Sequence, residues 1–131
     1  MKYRLTVRGF HLDLYGHVNN ARYLEFLEEA RWELLADRID LDAWHKRGLA
    51  FTVVRITINY RRAASLGDVL DIHTTLDRIE KRTCTFAQKI VFADSDECVA
   101  EAEVTFVMVD TASGTSVPVT GDVRAMLERL A

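Results

Sequence analysis

The sequence predicts an α+β fold in a single domain. Three observations carry this prediction. One long amphipathic helical pattern lies near the N-terminus, several long strand-like segments follow it, and only short turns join those segments. Across the 131 residues there is no linker, internal repeat or low-complexity tract, so the domain is expected to span residues 1–131.

Lys2 to Gly9 alternates, with Tyr3, Leu5 and Val7 on one side and Lys2, Arg4, Thr6 and Arg8 on the other. This is the pattern of a strand with one wet face. The helix is predicted from about Asn20 to about Ala36, where Tyr23, Leu27, Ala30 and Leu34 recur at helical spacing and Leu24, Trp32 and Leu35 widen the stripe. Asn19 or Asn20 suits the N-cap, because its side-chain oxygen can accept from an N–H two or three residues on. At ~1.5 Å per residue the helix is about 25 Å long, enough to cross a small domain. A short second helix is predicted over Asp42 to Arg47, closed by Gly48.

Four strands follow. Phe51 to Arg62 places Thr52, Val54, Ile56, Ile58 and Tyr60 on one face and Phe51, Val53, Arg55, Thr57 and Asn59 on the other. Val69 to Ile79 turns Leu70, Ile72, Thr74 and Leu76 inward. Thr83 to Ala93 comes next, and Cys98 to Val109 places Cys98, Ala100, Ala102, Val104, Phe106 and Met108 on one face. The tail from Asp122 reads as a short amphipathic helix. Several strands are apolar on both faces, as at Phe51/Val53 and Val107/Val109. One helix cannot cover both sides of such a sheet, so a homodimer or homotetramer is expected.

Composition removes several function classes. The chain is 49% apolar and 28% charged, ordinary for a globular domain. Its formal charge of −3, with no Lys- or Arg-rich run, argues against a nucleic-acid partner. No apolar run reaches the ~18 residues of a membrane span. Met1-Lys2-Tyr3-Arg4 lacks the apolar core of a signal peptide, and a cytoplasmic protein is expected. Cys84, Cys98 and the scattered histidines show no metal-ligand spacing, so no metal is expected.

The chemically loaded stretch runs from Phe10 to Tyr23. Asp13, Gly16, His17, Asn19 and Asn20 crowd into the turn that opens the long helix. The electropositive helix start, with its unpaired N–H groups, faces that turn. A carboxylate beside oriented N–H donors is the equipment for cleaving an activated acyl group.

The run Asp13-Leu-Tyr-Gly16-His17-Val18-Asn19-Asn20-Ala-Arg-Tyr23, followed by Glu29-Ala30-Arg31, resembles the hotdog-fold acyl-CoA thioesterases of the 4-hydroxybenzoyl-CoA thioesterase clan. Asn19 to Trp32 and Ile58-Asn59-Tyr60-Arg61-Arg62 resemble the bacterial long-chain, FadM-type subgroup. The resemblance implies a curved antiparallel sheet wrapped around one central helix, sheets joined edge to edge between two subunits, and active sites at their interface. One place departs from the pattern. His11 stands where many clan members carry a second Asp, which leaves Asp13 as the only carboxylate of the turn.

The implied activity is hydrolysis of medium- to long-chain fatty acyl-CoA to free acid and CoA, with no metal or cofactor, coenzyme A being part of the substrate. Asp13 is the implied nucleophile or general base; both routes stay open. The resemblance places the oxyanion donor at the backbone N–H of Asn20. His17 is a candidate to donate to the carbonyl, orient Asp13 or line the CoA channel. Gly16, Asn19 and Tyr23 are candidate substrate contacts. Arg61 and Arg62, with Arg55, Lys81 and Arg82, are the cations available to the CoA phosphates. An acyl slot between helix and sheet would use Phe26, Leu27, Phe51 and Val53 as walls. Two other readings remain. A hotdog hydratase would place Asp and His five apart around an Asn-Pro pair, but Asp13 and His17 are four apart and Pro118 is the sole proline. A non-catalytic dimer binding acyl-CoA or acyl-carrier protein is the alternative from a different class.

Overall fold

The computed structural model describes residues 1–131. Strand β1 (Lys2–Thr6) leads through a 3-10 turn at Gly9–His11 into helix α1 (Asn20–Arg38). A short helix α2 (Leu41–Lys46) precedes β2 (Leu49–Tyr60), β3 (Val69–Ile79), β4 (Cys84–Phe92), β5 (Cys98–Asp110) and helix α3 (Gly121–Glu128). The strands form one antiparallel sheet in the order β1-β3-β4-β5-β2, so β1 and β2 are its edges. No helix is long and apolar enough to cross a membrane.

Three bulges curve the sheet around α1. Val54 in β2, Asp77 in β3 and Val99 in β5 are extra residues opposite a partner strand that has none. An extra residue bends its strand and increases the local twist. The bulge at Val54 corrects the strict alternation expected for β2. Phe51 and Val53 lie opposite buried Met108 and Phe106, while Ile56, Ile58 and Tyr60 lie opposite buried Val104, Ala102 and Ala100. All five therefore share the inner face, and the two-faced apolar pattern of β2 is largely a phase change. The bulge at Val99 likewise takes Cys98 off the inner register, opposite Val91.

The core has two lobes under α1. Tyr23, Phe26, Leu27 and Ala30 pack on Leu70, Ile72, Ile90, Ala100 and Ala102. Leu34, Leu35 and Ile39 pack on Leu76, Phe86, Phe106 and Met108, and α3 closes that lobe with Val123, Met126 and Leu127. Between the lobes lies a buried polar belt. Gln88, opposite Thr74 in the sheet, donates from Nε2 to Thr74 Oγ1 and to the Leu27 carbonyl, both at 3.0 Å. Its Oε1 accepts from Arg31 Nη1 at 3.1 Å. Trp32, expected on the buried stripe, is half-exposed instead, because the adjacent edge strand β2 leaves α1 uncovered there.

Both cysteines are free thiols, and burial pushes the Cys84 thiol up to about 11. Beyond the core, β1 is tied to β3 by Arg4, whose Nε and Nη2 reach the buried Asp71 carboxylate at 2.8 and 3.0 Å. That hydrogen bond is the main cause holding the Asp71 carboxyl below its ordinary value. A carboxylate with a depressed folded pKa adds stability above its unfolded pKa and loses it as pH falls through the folded value. The stability gap between wild type and Asp71→Asn is therefore expected to hold above about pH 4 and to close at lower pH. Urea unfolding at a series of pH values measures it.

Candidate active site

The turn before α1 is built by its own backbone. The Asp13 N–H donates to the His17 carbonyl at 2.8 Å and the Gly16 N–H to the Asp13 carbonyl at 3.1 Å. Gly16 has φ +77°, a conformation that a side chain would strain. Asp13 Oδ1 accepts from the N–H of Tyr15 at 2.8 Å and of His17 at 3.4 Å, which fixes the carboxylate and leaves Oδ2 without a protein partner. The turn is docked on the chain after β2, where the Val18 N–H donates to the Ala64 carbonyl at 2.9 Å.

Asn19, not Asn20, is the N-cap, its side chain accepting from the Ala21 N–H at 2.9 Å. The Arg22 N–H takes the Asn19 carbonyl at 2.9 Å. The N–H of Asn20, the first helical residue, finds no acceptor among the turn's own groups. It is one of the orphan donors at which a helix start attracts negative charge. Asp13, Asn20, Tyr23, Arg61 and Arg62 line one open cavity of about 320 Å³, together with Val18, Tyr60 and Ala63. The fold thus gathers five of the eight candidate residues. Gly16 and Asn19 shape the turn and the cap. His17 is exposed, and its ring makes no hydrogen bond within the chain.

Tyr23 is buried, and its hydroxyl accepts from the Ala64 N–H at 3.1 Å, so it anchors the core while facing the cavity. Burial is the main cause raising its pKa. Arg61 pairs with Glu101 and Arg62 with Glu97, partners on β5 and its preceding turn that sequence spacing does not reveal. Of the slot walls expected from sequence, Phe51 and Val53 line a groove between α1 and β2, whereas Phe26 and Leu27 are sealed in the core. No group of three His, Cys, Asp or Glu side chains is placed to hold a metal ion.

Two further residues shape the site. The Tyr60 hydroxyl donates to the Asn20 carbonyl at 3.0 Å and its ring lies 5.6 Å from that of Tyr23, so β2 holds the helix start in place. Its signal was its place beside Arg61 and Arg62. His11 occupies the ground of the absent second acid. Its Nδ1 accepts from the Arg8 N–H at 2.8 Å and its ring meets Phe26 edge-on at 4.9 Å. Burial first, then Arg22, lowers its pKa, which favours the neutral ring.

Residues 8–127 match the model of the Thioesterase-like superfamily. The chain is 42% identical to the long-chain acyl-CoA thioesterase FadM of Escherichia coli K12, over 99% of this chain and 98% of the relative. It is 34% identical to the acyl-CoA thioester hydrolase YbgC of Escherichia coli O6:H1, over 82% of each. Among solved structures, the probable thioesterase YbaW of Escherichia coli superposes with a TM-score of 0.94 at 42% identity, over 99% of this chain and 98% of that one. A hypothetical protein from Aquifex aeolicus superposes at 0.87 and 26% identity, over 100% and 99%. The α+β sheet wrapped on one helix is thus the fold of these thioesterases, and the chain belongs to the Thioesterase-like superfamily.

Proposed function

We propose that the protein hydrolyses medium- to long-chain fatty acyl-CoA to free acid and CoA. The observation that carries this reading is the meeting, in one cavity, of the Asp13 carboxylate and the start of α1 at Asn20. Full-length similarity to FadM, named a long-chain acyl-CoA thioesterase, supports it. Asp13 either attacks the thioester carbonyl or removes a proton from an attacking water. The carbonyl oxygen becomes an oxyanion that the Asn20 N–H and the helix start stabilise. Collapse of that intermediate breaks the C–S bond, and the thiolate of CoA leaves and takes a proton. Arg61 and Arg62, at the cavity mouth, are the candidate contacts for the CoA phosphates once their carboxylate partners yield. Asn19 and Gly16 hold the turn, Tyr23 supports the acyl side, and His17 has the freedom to meet CoA. No metal or cofactor takes part.

We place the protein in the cytoplasm as a homodimer or homotetramer. Half-exposed Val53, Val54, Ile56 and Tyr60 stand along the unpaired β2 edge, which favours pairing with a second copy's β2. A thiol-reagent assay of CoA release over a chain-length series tests the activity. Release that rises with chain length supports the reading, and binding without release would identify a non-catalytic acyl-CoA binder. Tyr60→Phe is expected to lower kcat roughly fivefold with little change in KM, since it frees the helix start by one hydrogen bond. A steady-state comparison with wild type reads this.

A further inference from the structure

The polar belt across the core ends at a cation that has no ion-pair partner within the chain. Arg31 is 9% exposed and sits on the inner face of α1. Its one hydrogen bond is to Gln88, a neutral amide whose own N–H groups are already used. It forms no ion pair, while a guanidinium carries five donors. Burying such a charge without a close ion-pair partner is costly. Burial lowers its pKa, opposed by the charge of Glu28.

Arg31 lines the groove between α1 and β2, a cavity of about 320 Å³ walled by Trp32, Leu35, Phe51, Val53, Phe86 and Phe106. Glu28 stands on the same groove and accepts from Trp32 Nε1 at 3.3 Å. From Asn20 to Arg31 is eleven residues, about 16 Å along α1. A chain whose thioester lies at the helix start and whose tail follows the helix therefore passes the guanidinium in its outer half. The walls suit methylenes. The guanidinium suits an oxygen acceptor, and the adjacent Glu28 opposes an anion and accepts from a hydroxyl.

We propose that this groove selects acyl chains bearing a hydroxyl or keto oxygen in their outer half, with Arg31 as the specificity-determining residue. The inference rests on the acyl-CoA reading above and names its substrate class. In the free protein Arg31 lines the groove with Gln88 as its one hydrogen-bond acceptor. In the complex the substrate oxygen accepts from the guanidinium, and Gln88 and Thr74 hold that guanidinium in line.

The test compares tetradecanoyl-CoA with hydroxy, keto and ω-carboxy analogues of the same length, as kcat/KM with wild type and with Arg31→Met. Wild type is expected to favour the hydroxy or keto chain roughly tenfold, and Arg31→Met to lose that preference. Equal rates on plain and oxygenated chains, a first preference for the ω-carboxy chain, or a preference that survives in Arg31→Met would each overturn the proposal. The wild-type comparison stands alone if Arg31→Met does not fold. Calorimetric binding of the same esters to Asp13→Asn separates the two readings. Tighter binding of the oxygenated chain with no hydrolysis by wild type sinks the proposed function and keeps the groove's selectivity.

Discussion

Asp13→Asn is expected to reduce thioester hydrolysis about 10²–10⁴-fold, the range for loss of a positioned general base. The substitution isolates chemistry from folding. An asparagine oxygen can still accept from the N–H groups of Tyr15 and His17 that hold Asp13 Oδ1. The turn, the Gly16 conformation and the helix start therefore keep their geometry, and the unfolding midpoint is expected to stay close to wild type. What is lost is the negative charge, and with it both the nucleophile and the base. Single-turnover kinetics on a long-chain acyl-CoA measures the loss, and undiminished turnover would remove Asp13 from the mechanism. In wild type, one turnover in heavy-oxygen water separates the two routes. Direct attack by water labels the product acid at once, whereas a mixed anhydride opened at the Asp13 carbon leaves the first label on the enzyme.

The largest effect on stability is expected from Phe106→Ala. Phe106 is 2% exposed, stacks on Phe86 at 5.0 Å between centroids and meets Phe51 at 5.1 Å. Removing the ring leaves a cavity between rigid strands that cannot collapse into it, and such changes cost about 3–5 kcal/mol. For a domain of this size the fall in Tm is on the order of 10 °C or more. Calorimetry reads it, with Trp32→Ala as the exposed aromatic control. Phe106 also walls the groove beside Arg31, so a folded variant would accept bulkier chain ends.

Periodicity made α1 and the strands legible, because an apolar stripe at helical spacing and an alternating strand each have one low-energy way to face a core. The loaded turn was legible for the same local reason, since Asn19 and Gly16 announce a cap and a bend. The rest depended on tertiary partners. An alternation count cannot see that Val54 is skipped by β5, so it separates Phe51 and Val53 from the face they share with Ile56, Ile58 and Tyr60. Arg31 interrupts an apolar stripe, and only the sheet opposite, with Gln88 and Thr74, shows that the interruption is buried rather than turned to water. Arg61 and Arg62 read as free cations because Glu101 and Glu97 lie far along the chain. Trp32 read as core because nothing local reveals that the neighbouring strand is an edge.

The three bulges make the sheet's shape a matter of counting. At each of them one strand spends a residue that its neighbour does not. A chain shortened by one at Val54 would keep Phe51, Val53, Ile56, Ile58 and Tyr60 pointing the same way, and an alignment would record only a gap. It would still unroll the outermost strand, draw Tyr60 away from the carbonyl it holds, and widen the seam along which a substrate tail lies. In this protein strand length, more than residue identity, sets how tightly the sheet closes on its helix.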